Sequence, residues 1–327
     1  MAPLKAKVRS DEALEWLDVM EKRLEWLNRS KNGFKLNIEE LFHYAQFDME
    51  SHLLTEEFQL QGRDVSRRIK TFLLNLELKF FDVLIEHQKK SDLSPIKRWA
   101  EHITPNDTVL TFNYDTLVEN ALDEGKVAWT HGFDSENDSE KTVMAIPVYK
   151  MHGSLDWIVC HRDNVRDSWD LLFDEAEVIT DQTKALPDCC LVRHENNVQM
   201  EKWVTDRDIQ VIREQTFSSR TGMAGLGTYK PLHEIPGLGI VWRRGMQAVY
   251  EADCVVIVGF AMSDFDAMAQ MQFALAARKR SEENRPLKVV VIDPFINKCS
   301  QKRFERVFED ITFITKYHEE FDWSELD

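Results

Sequence analysis

The chain has few of the residues that staple or punctuate small folds. Of its 327 residues only 5 are cysteine, 9 are proline and 12 are glycine. The cysteines, Cys160, Cys189, Cys190, Cys254 and Cys299, are odd in number and show no C-x-x-C spacing. A disulfide framework is therefore not expected. Cys254 lies in an apolar run and reads as a small buried hydrophobe. Cys160-His161, Cys189-Cys190 and His194 could in principle ligate zinc. Vicinal cysteines rarely both face one tetrahedral ion, so no metal is expected. No apolar run reaches the roughly 20 residues that cross a bilayer. The basic start MAPLKAKVRS lacks the apolar stretch of a secretory leader. The expectation is a cytoplasmic protein without membrane contact. Positive charge is short too: 41 Lys and Arg stand against 57 Asp and Glu, a net charge of −16. Such a surface repels phosphate backbones, so direct nucleic-acid binding is not expected, whereas a basic partner protein is compatible with it.

What is present suffices for a large core: 43% of residues are hydrophobic and 30% charged. The first hundred residues read as helix. Leu14, Leu17, Met20, Leu24 and Leu27 recur at helical spacing behind Asp11, and Asn37 with Glu40 forms a capping-box signature. From 65 to 87 an apolar stripe holds Ile69, Phe72, Leu73, Leu76, Phe80 and Leu84. It suits packing on the fold's own core, or self-association.

Beyond Pro105 the texture changes. Short β-rich runs end at Asn113, Met151, Gly259, Ile292 and Ile314, and helical stretches lie near 115–123, 240–252, 264–281 and 298–308. Strand alternating with helix at this spacing predicts an α/β fold with a Rossmann-like, doubly wound, mainly parallel sheet. The expected organisation is a helical N-terminal part, 1–104, packed on a core at 105–327. That core carries an inserted loop region at 160–245, and six of the twelve glycines fall between 218 and 245.

In open parallel sheets ligands bind beyond the carboxyl ends of the strands. Four polar groups stand at such ends: Asn113-Tyr114-Asp115, His152-Gly153-Ser154, Gly259 to Ser263-Asp264, and Asp293-Pro294. Singly, each has an ordinary structural explanation. Asn113 suits a left-handed turn, Asp115 and Asp264 suit helix caps, Gly259 suits a tight turn, and a lone histidine is most often a hydrogen-bonding one. Their convergence on one sheet edge is what points to a site.

Thr111-Phe-Asn113-Tyr-Asp115 resembles the T-x-N-x-D element of sirtuins, and Lys150-Met-His152-Gly-Ser154-Leu-Asp-Trp157 resembles the H-G-S element of Sir2-like proteins. Val256-Ile-Val-Gly259-Phe-Ala-Met-Ser-Asp-Phe-Asp266 is similar to their late V-I-G-[YF]-S-x-x-x-x-D strand and turn. Order and spacing agree across about 37–315. The resemblance implies a protein that takes NAD+ as substrate and cleaves its nicotinamide–ribose bond. In that reading Asn113 and His152 are catalytic. Asn113 holds the ribose hydroxyls and places a water, and His152 accepts a proton. Thr111, Asp115, Gly153, Ser154, Gly259, Ser263, Asp264 and Asp293 would line the NAD or ADP-ribose site, with Ser263 and Asp264 near the adenosine ribose or a phosphate.

Two departures bear on activity. Sirtuin deacylases carry a zinc ribbon of paired C-x-x-C motifs, which is absent here. The resemblance therefore favours the bacterial Sir2-like NAD hydrolases of anti-phage defence, held in check until a partner or a phage signal triggers them. The family's opening strand with G-A-G-x-S, a pyrophosphate cradle, also has no counterpart ahead of Asn37. Its loss would fit a non-enzymatic module that binds a nucleotide or a partner protein.

Overall fold

The computed structural model describes residues 80, 83–132, 145–161, 176–180, 189–194, 219–223, 232, 235, 237–263 and 266–326; at 158–161, 176–180, 189–194, 219–223 and 325–326 it describes the backbone alone. The helices expected at 14–27 and from 37, most of the stripe at 65–87, and Asp264 lie outside these residues; residues 83–90 are helical. The chain divides into two compact units, Met1–Glu86 with Gly225–Lys230, and His87–Ala224 with Pro231–Asp327. The elements below belong to the second.

In chain order they are α1 (Ser94–Ala100), β1 (Val109–Thr111), α2 (Leu117–Glu124), β2 (Trp129–Thr130), β3 (Ile146–Lys150), β4 (Gly153–His161), β5 (Ala176–Thr180), β6 (Cys189–His194), β7 (Ser219–Met223), α3 (Leu238–Glu251), β8 (Cys254–Val258), α4 (Ala267–Glu282), β9 (Lys288–Ile292), α5 (Lys298–Glu305) and β10 (Asp310–Ile314), followed by two short 3-10 turns. The α/β class and its parallel strands are as the sequence predicts. Among the described residues the parallel strands lie in two three-stranded sheets, β1-β3-β2 and β10-β9-β8. Among the described residues, no strand pairs with the outer edge of β1 or of β8. The region expected as an inserted loop supplies strands: β5, β6 and β7 join β4 in a four-stranded antiparallel sheet ordered β5-β6-β4-β7. Its register sets Cys160 opposite Cys190 and His161 opposite Cys189.

β9, Lys-Val-Val-Val-Ile, shows why an uninterrupted apolar strand is central. Val289 and Val291 enter one core, and Val290 and Ile292 enter another with Phe321. Consecutive side chains point to opposite faces, so only a strand covered on both sides can be apolar at every position. β8 is equally apolar but sits at a sheet edge, and Val258 is exposed. β3 repeats the logic: Val148 packs with Ala100 and Leu122, whereas Tyr149 and the following Met151 face the main core. That core also takes Leu238, Val241 and Trp242 of α3, Phe273 of α4 and Phe304 of α5. Helix starts are locally encoded. Asn297 Oδ1 accepts the backbone N–H groups of Cys299 and Ser300 at 2.9 and 3.2 Å, capping α5.

Candidate functional site

β1, β3 and β8 bring their carboxyl ends to one place. The N–H of Met151 donates to the carbonyl of Thr111 at 2.9 Å, and that of Leu155 to the carbonyl of Tyr114 at 2.8 Å, so 111–114 is zipped against the β3–β4 turn. Phe112, just past β1, stacks on Phe260, just past β8, with centroids 4.4 Å apart and planes 12° from parallel. This apolar contact joins the ends of the two parallel sheets, between which no backbone pairing stands among the described residues.

His152 occupies the turn between β3 and β4, at 6% exposure. The edge of Phe112 meets its ring at 5.2 Å, and Tyr114 and Trp242 lie at 5.9 and 6.4 Å. Trp242 also fixes the turn, its indole N–H donating to the Met151 carbonyl at 2.6 Å. On the fourth side His152 Nε2 lies 3.2 Å from Asp266 Oδ1, with both side chains buried. Gly153 completes the turn at φ +83°, a left-handed conformation open to glycine at little cost.

Beneath this edge lies a second, fully buried polar cluster. Lys150 Nζ lies 3.0 Å from Glu119 Oε1, at 0% and 1% side-chain exposure, and also donates to the Asp115 carbonyl. Burial pushes the Glu119 carboxyl above its ordinary value; Lys150 opposes the shift and nearby Asp156 adds to it. The ammonium ties β3 to α2 and to the Asn113–Asp115 segment in a single hub. Gln88 holds the same segment from outside, donating to Thr116 Oγ1 at 2.7 Å and accepting from the Thr116 N–H at 3.0 Å.

The sequence-predicted residues separate by environment. Asn113 is exposed, with its backbone N–H donating to Thr111 Oγ1 at 3.1 Å. His152 stands buried behind Phe112. Ser154 is fully buried. Asp115 Oδ1 accepts the Leu117 N–H at 3.2 Å at the start of α2, the cap-like role open to it from the sequence. Asp293 Oδ1 accepts the Phe295 N–H at 2.7 Å, so one of its oxygens serves a local turn. Gly259 has φ +62° and nothing within 4 Å of an added Cβ, so the turn needs its backbone freedom rather than its small size. Ser263 is placed by its carbonyl, which Gln270 Nε2 binds at 2.8 Å. A cleft of about 430 Å³ between α3 and α4 is lined by Trp242, Met246, Tyr250, Met268 and Leu275 and contains none of these residues.

The match to known families falls on this edge. Residues 107–185 match the family model of the SIR2-like domain. This stretch of the chain is similar to the SIR2-like domain. No curated protein sequence matches the chain. The SIR2-like segment contains Thr111, Asn113, Asp115, His152, Gly153 and Ser154; Gly259, Ser263, Asp266 and Asp293 lie beyond it and reach the same edge through the fold.

Four groups at this SIR2-like edge were not singled out by the sequence: Asp266, Trp242, Lys150 and Glu119. Asp266 ends the strand-and-turn pattern that begins at Val256, which is the one signal that could have marked it. Lys150 precedes the His-Gly-Ser element by two positions. Nothing in the sequence says that its charge is buried.

Proposed function

We propose that the chain hydrolyses NAD+ to nicotinamide and ADP-ribose. The observation that carries this reading is that the segments bearing an exposed amide, Asn113, and a buried imidazole, His152, are hydrogen-bonded side by side at strand ends of a stretch similar to the SIR2-like domain. The bond from the nicotinamide nitrogen to ribose C1′ breaks and both electrons go to the ring, which leaves as neutral nicotinamide. The ribose becomes oxocarbenium-like. The exposed Asn113 is suited to hold the ribose hydroxyls and a water. The water oxygen bonds to C1′, and the proton it loses goes to His152. Phe112, Tyr114 and Trp242 keep bulk water from the imidazole, which strengthens each electrostatic contact there. Ser263, Asp264 and Asp293, past β8 and β9, suit the adenosine side, where Asp293 has one oxygen not used by its turn for a ribose hydroxyl. No metal is needed for this step.

The finer reading is a cytoplasmic effector of anti-phage defence, triggered by a partner protein or a second copy. Among the described residues no helix is long and apolar enough to cross a membrane.

A second reading is supported by the outer edge of β1, where no described strand stands as a phosphate cradle. It makes the domain a module that binds NAD, an ADP-ribose-type ligand or a partner protein without turnover. NAD+ loss by the purified chain, with His152→Ala and Asn113→Ala alongside, separates the two. Turnover abolished by both substitutions is expected. No turnover at high protein concentration, with NAD+ binding still measurable by calorimetry, would replace the hydrolase with the module.

A further inference from the structure

Asp266 immediately precedes α4, the place where a short carboxylate ordinarily accepts a backbone N–H of the first turn and contributes about 1 kcal/mol to helix stability. Asp266 makes no such bond. Its carboxylate points instead into the aromatic enclosure and stands 3.2 Å from His152 Nε2, itself at 8% exposure. A helix start that forgoes its cap and a carboxylate buried against an imidazole are two independent signs of one role.

We propose that Asp266 is the positioning residue for His152: its buried carboxylate, 3.2 Å from Nε2, is the counter-charge that stabilises the imidazolium formed when the ring takes up a proton. The inference deepens the hydrolase reading and rests on it for its consequence in catalysis, but the contact itself does not. The loop that delivers Asp266 is built for the purpose. Gly259 turns out of β8 at φ +62°, Met262 is fully buried at φ +49°, and Gln270 of α4 binds the carbonyls of both Met262 and Ser263 at 3.1 and 2.8 Å. A buried non-glycine residue with positive φ persists only where its surroundings over-determine it. The loop is thereby pinned at the distance that sets Asp266 against the histidine.

The chemistry follows from the enclosure. Phe112 and Trp242 bring no charge to His152, Tyr114 brings a neutral phenol at physiological pH, and Asp266 brings a carboxylate. In so apolar a setting an imidazolium without a counter-charge would be costly, and the ring would be a weak base. With the Asp266 carboxylate 3.2 Å from Nε2, positive charge on the ring is compensated inside the enclosure. This is the division of labour of any base oriented by a third group.

Histidine-selective isotope labelling and NMR titration test the proposal on the full chain without NAD+. The chain has 10 histidines, and the signal lost in His152→Gln assigns the one required. Asp266→Asn, which keeps shape and removes charge, is expected to lower the His152 pKa by about one unit or more, a tenfold loss of proton affinity. Asp266→Glu, which restores the charge, should recover most of it. An unchanged His152 titration in folded Asp266→Asn overturns the proposal, whatever the enzyme assays show.

The assays then read the consequence. Asp266→Asn should lower kcat by about 100-fold or more with KM changed only a few-fold, and should have no further effect in His152→Ala. A titration shift without NAD+ turnover in the wild-type chain would keep the dyad and refute the hydrolase. Turnover that Asp266→Asn leaves intact would keep the hydrolase and refute the positioning role.

Discussion

Lys150 is a charge with no exposed surface, held between Glu119 and the Asp115 carbonyl. Breaking a buried pair by removing one partner costs about 3–5 kcal/mol, because the other charge stays buried without compensation. Lys150→Met should lose stability on that scale. The loss should depend on pH, with a sign set by Glu119. Burial raises its carboxyl above 4.5, so the folded chain binds that proton more tightly than the unfolded one. Its contribution to stability is therefore fullest below 4.5 and falls as pH rises from there through the folded value. In Lys150→Met the opposing ammonium is gone and the window widens upward. Urea midpoints at pH 5 and pH 8 check this: a clearly larger loss at pH 8 is expected, and equal losses at both would contradict the assignment. Cys254 presents the milder version, its thiol pushed up by burial and so kept protonated and unreactive.

At the scale of elements, the turn between β3 and β4 is the critical piece. Two strands of different sheets meet there with only Met151 and His152 between them, and Gly153 opens β4 at φ +83°. A Cβ at that φ meets the neighbouring carbonyl and costs about 1–2 kcal/mol. Gly153→Ala should lose that much by chemical denaturation and, because the strain falls next to His152, should also slow NAD+ loss. Full stability together with full activity in that variant would show that the turn tolerates a side chain. The elements legible in the sequence are those whose signal is local. β9 was marked by its unbroken Val-Val-Val-Ile and α2 by Asp115, with boundaries within a few residues. β2 spans only two residues, Trp129 and Thr130, too few to carry any periodicity. β5 lies among acidic and polar residues and β7 contains Gly222 with Gly225 close behind, and antiparallel pairing defines them, β5 with β6 and β7 with the more remote β4.

For the whole molecule, the proposed substrate makes a prediction that does not need turnover. A ligand that binds only the folded state stabilises it by RT ln(1 + [L]/Kd), about 2.7 kcal/mol at a concentration 100 times Kd. NAD+ or ADP-ribose should raise the thermal midpoint of the His152→Ala chain, in which the substrate is not consumed. A midpoint indifferent to both ligands would argue against an NAD-type site. The chain's own acidity, −16 overall, makes such binding sensitive to salt, since the pyrophosphate approaches a surface of its own sign.

The sequence by itself determined the α/β class, the parallel strands and the residues at their carboxyl ends, including Asn113 and His152, because apolar runs, caps and short motifs are local patterns. Tertiary structure decided which of those residues share an environment. Among the described residues it set the parallel strands in two sheets joined by the Phe112–Phe260 stack. It buried Lys150 against Glu119, and it carried Asp266, 114 positions along the chain from His152 (266 − 152), to 3.2 Å from its imidazole. A buried charge is tolerated only beside the group that compensates it, and no local pattern names a partner so remote in the chain.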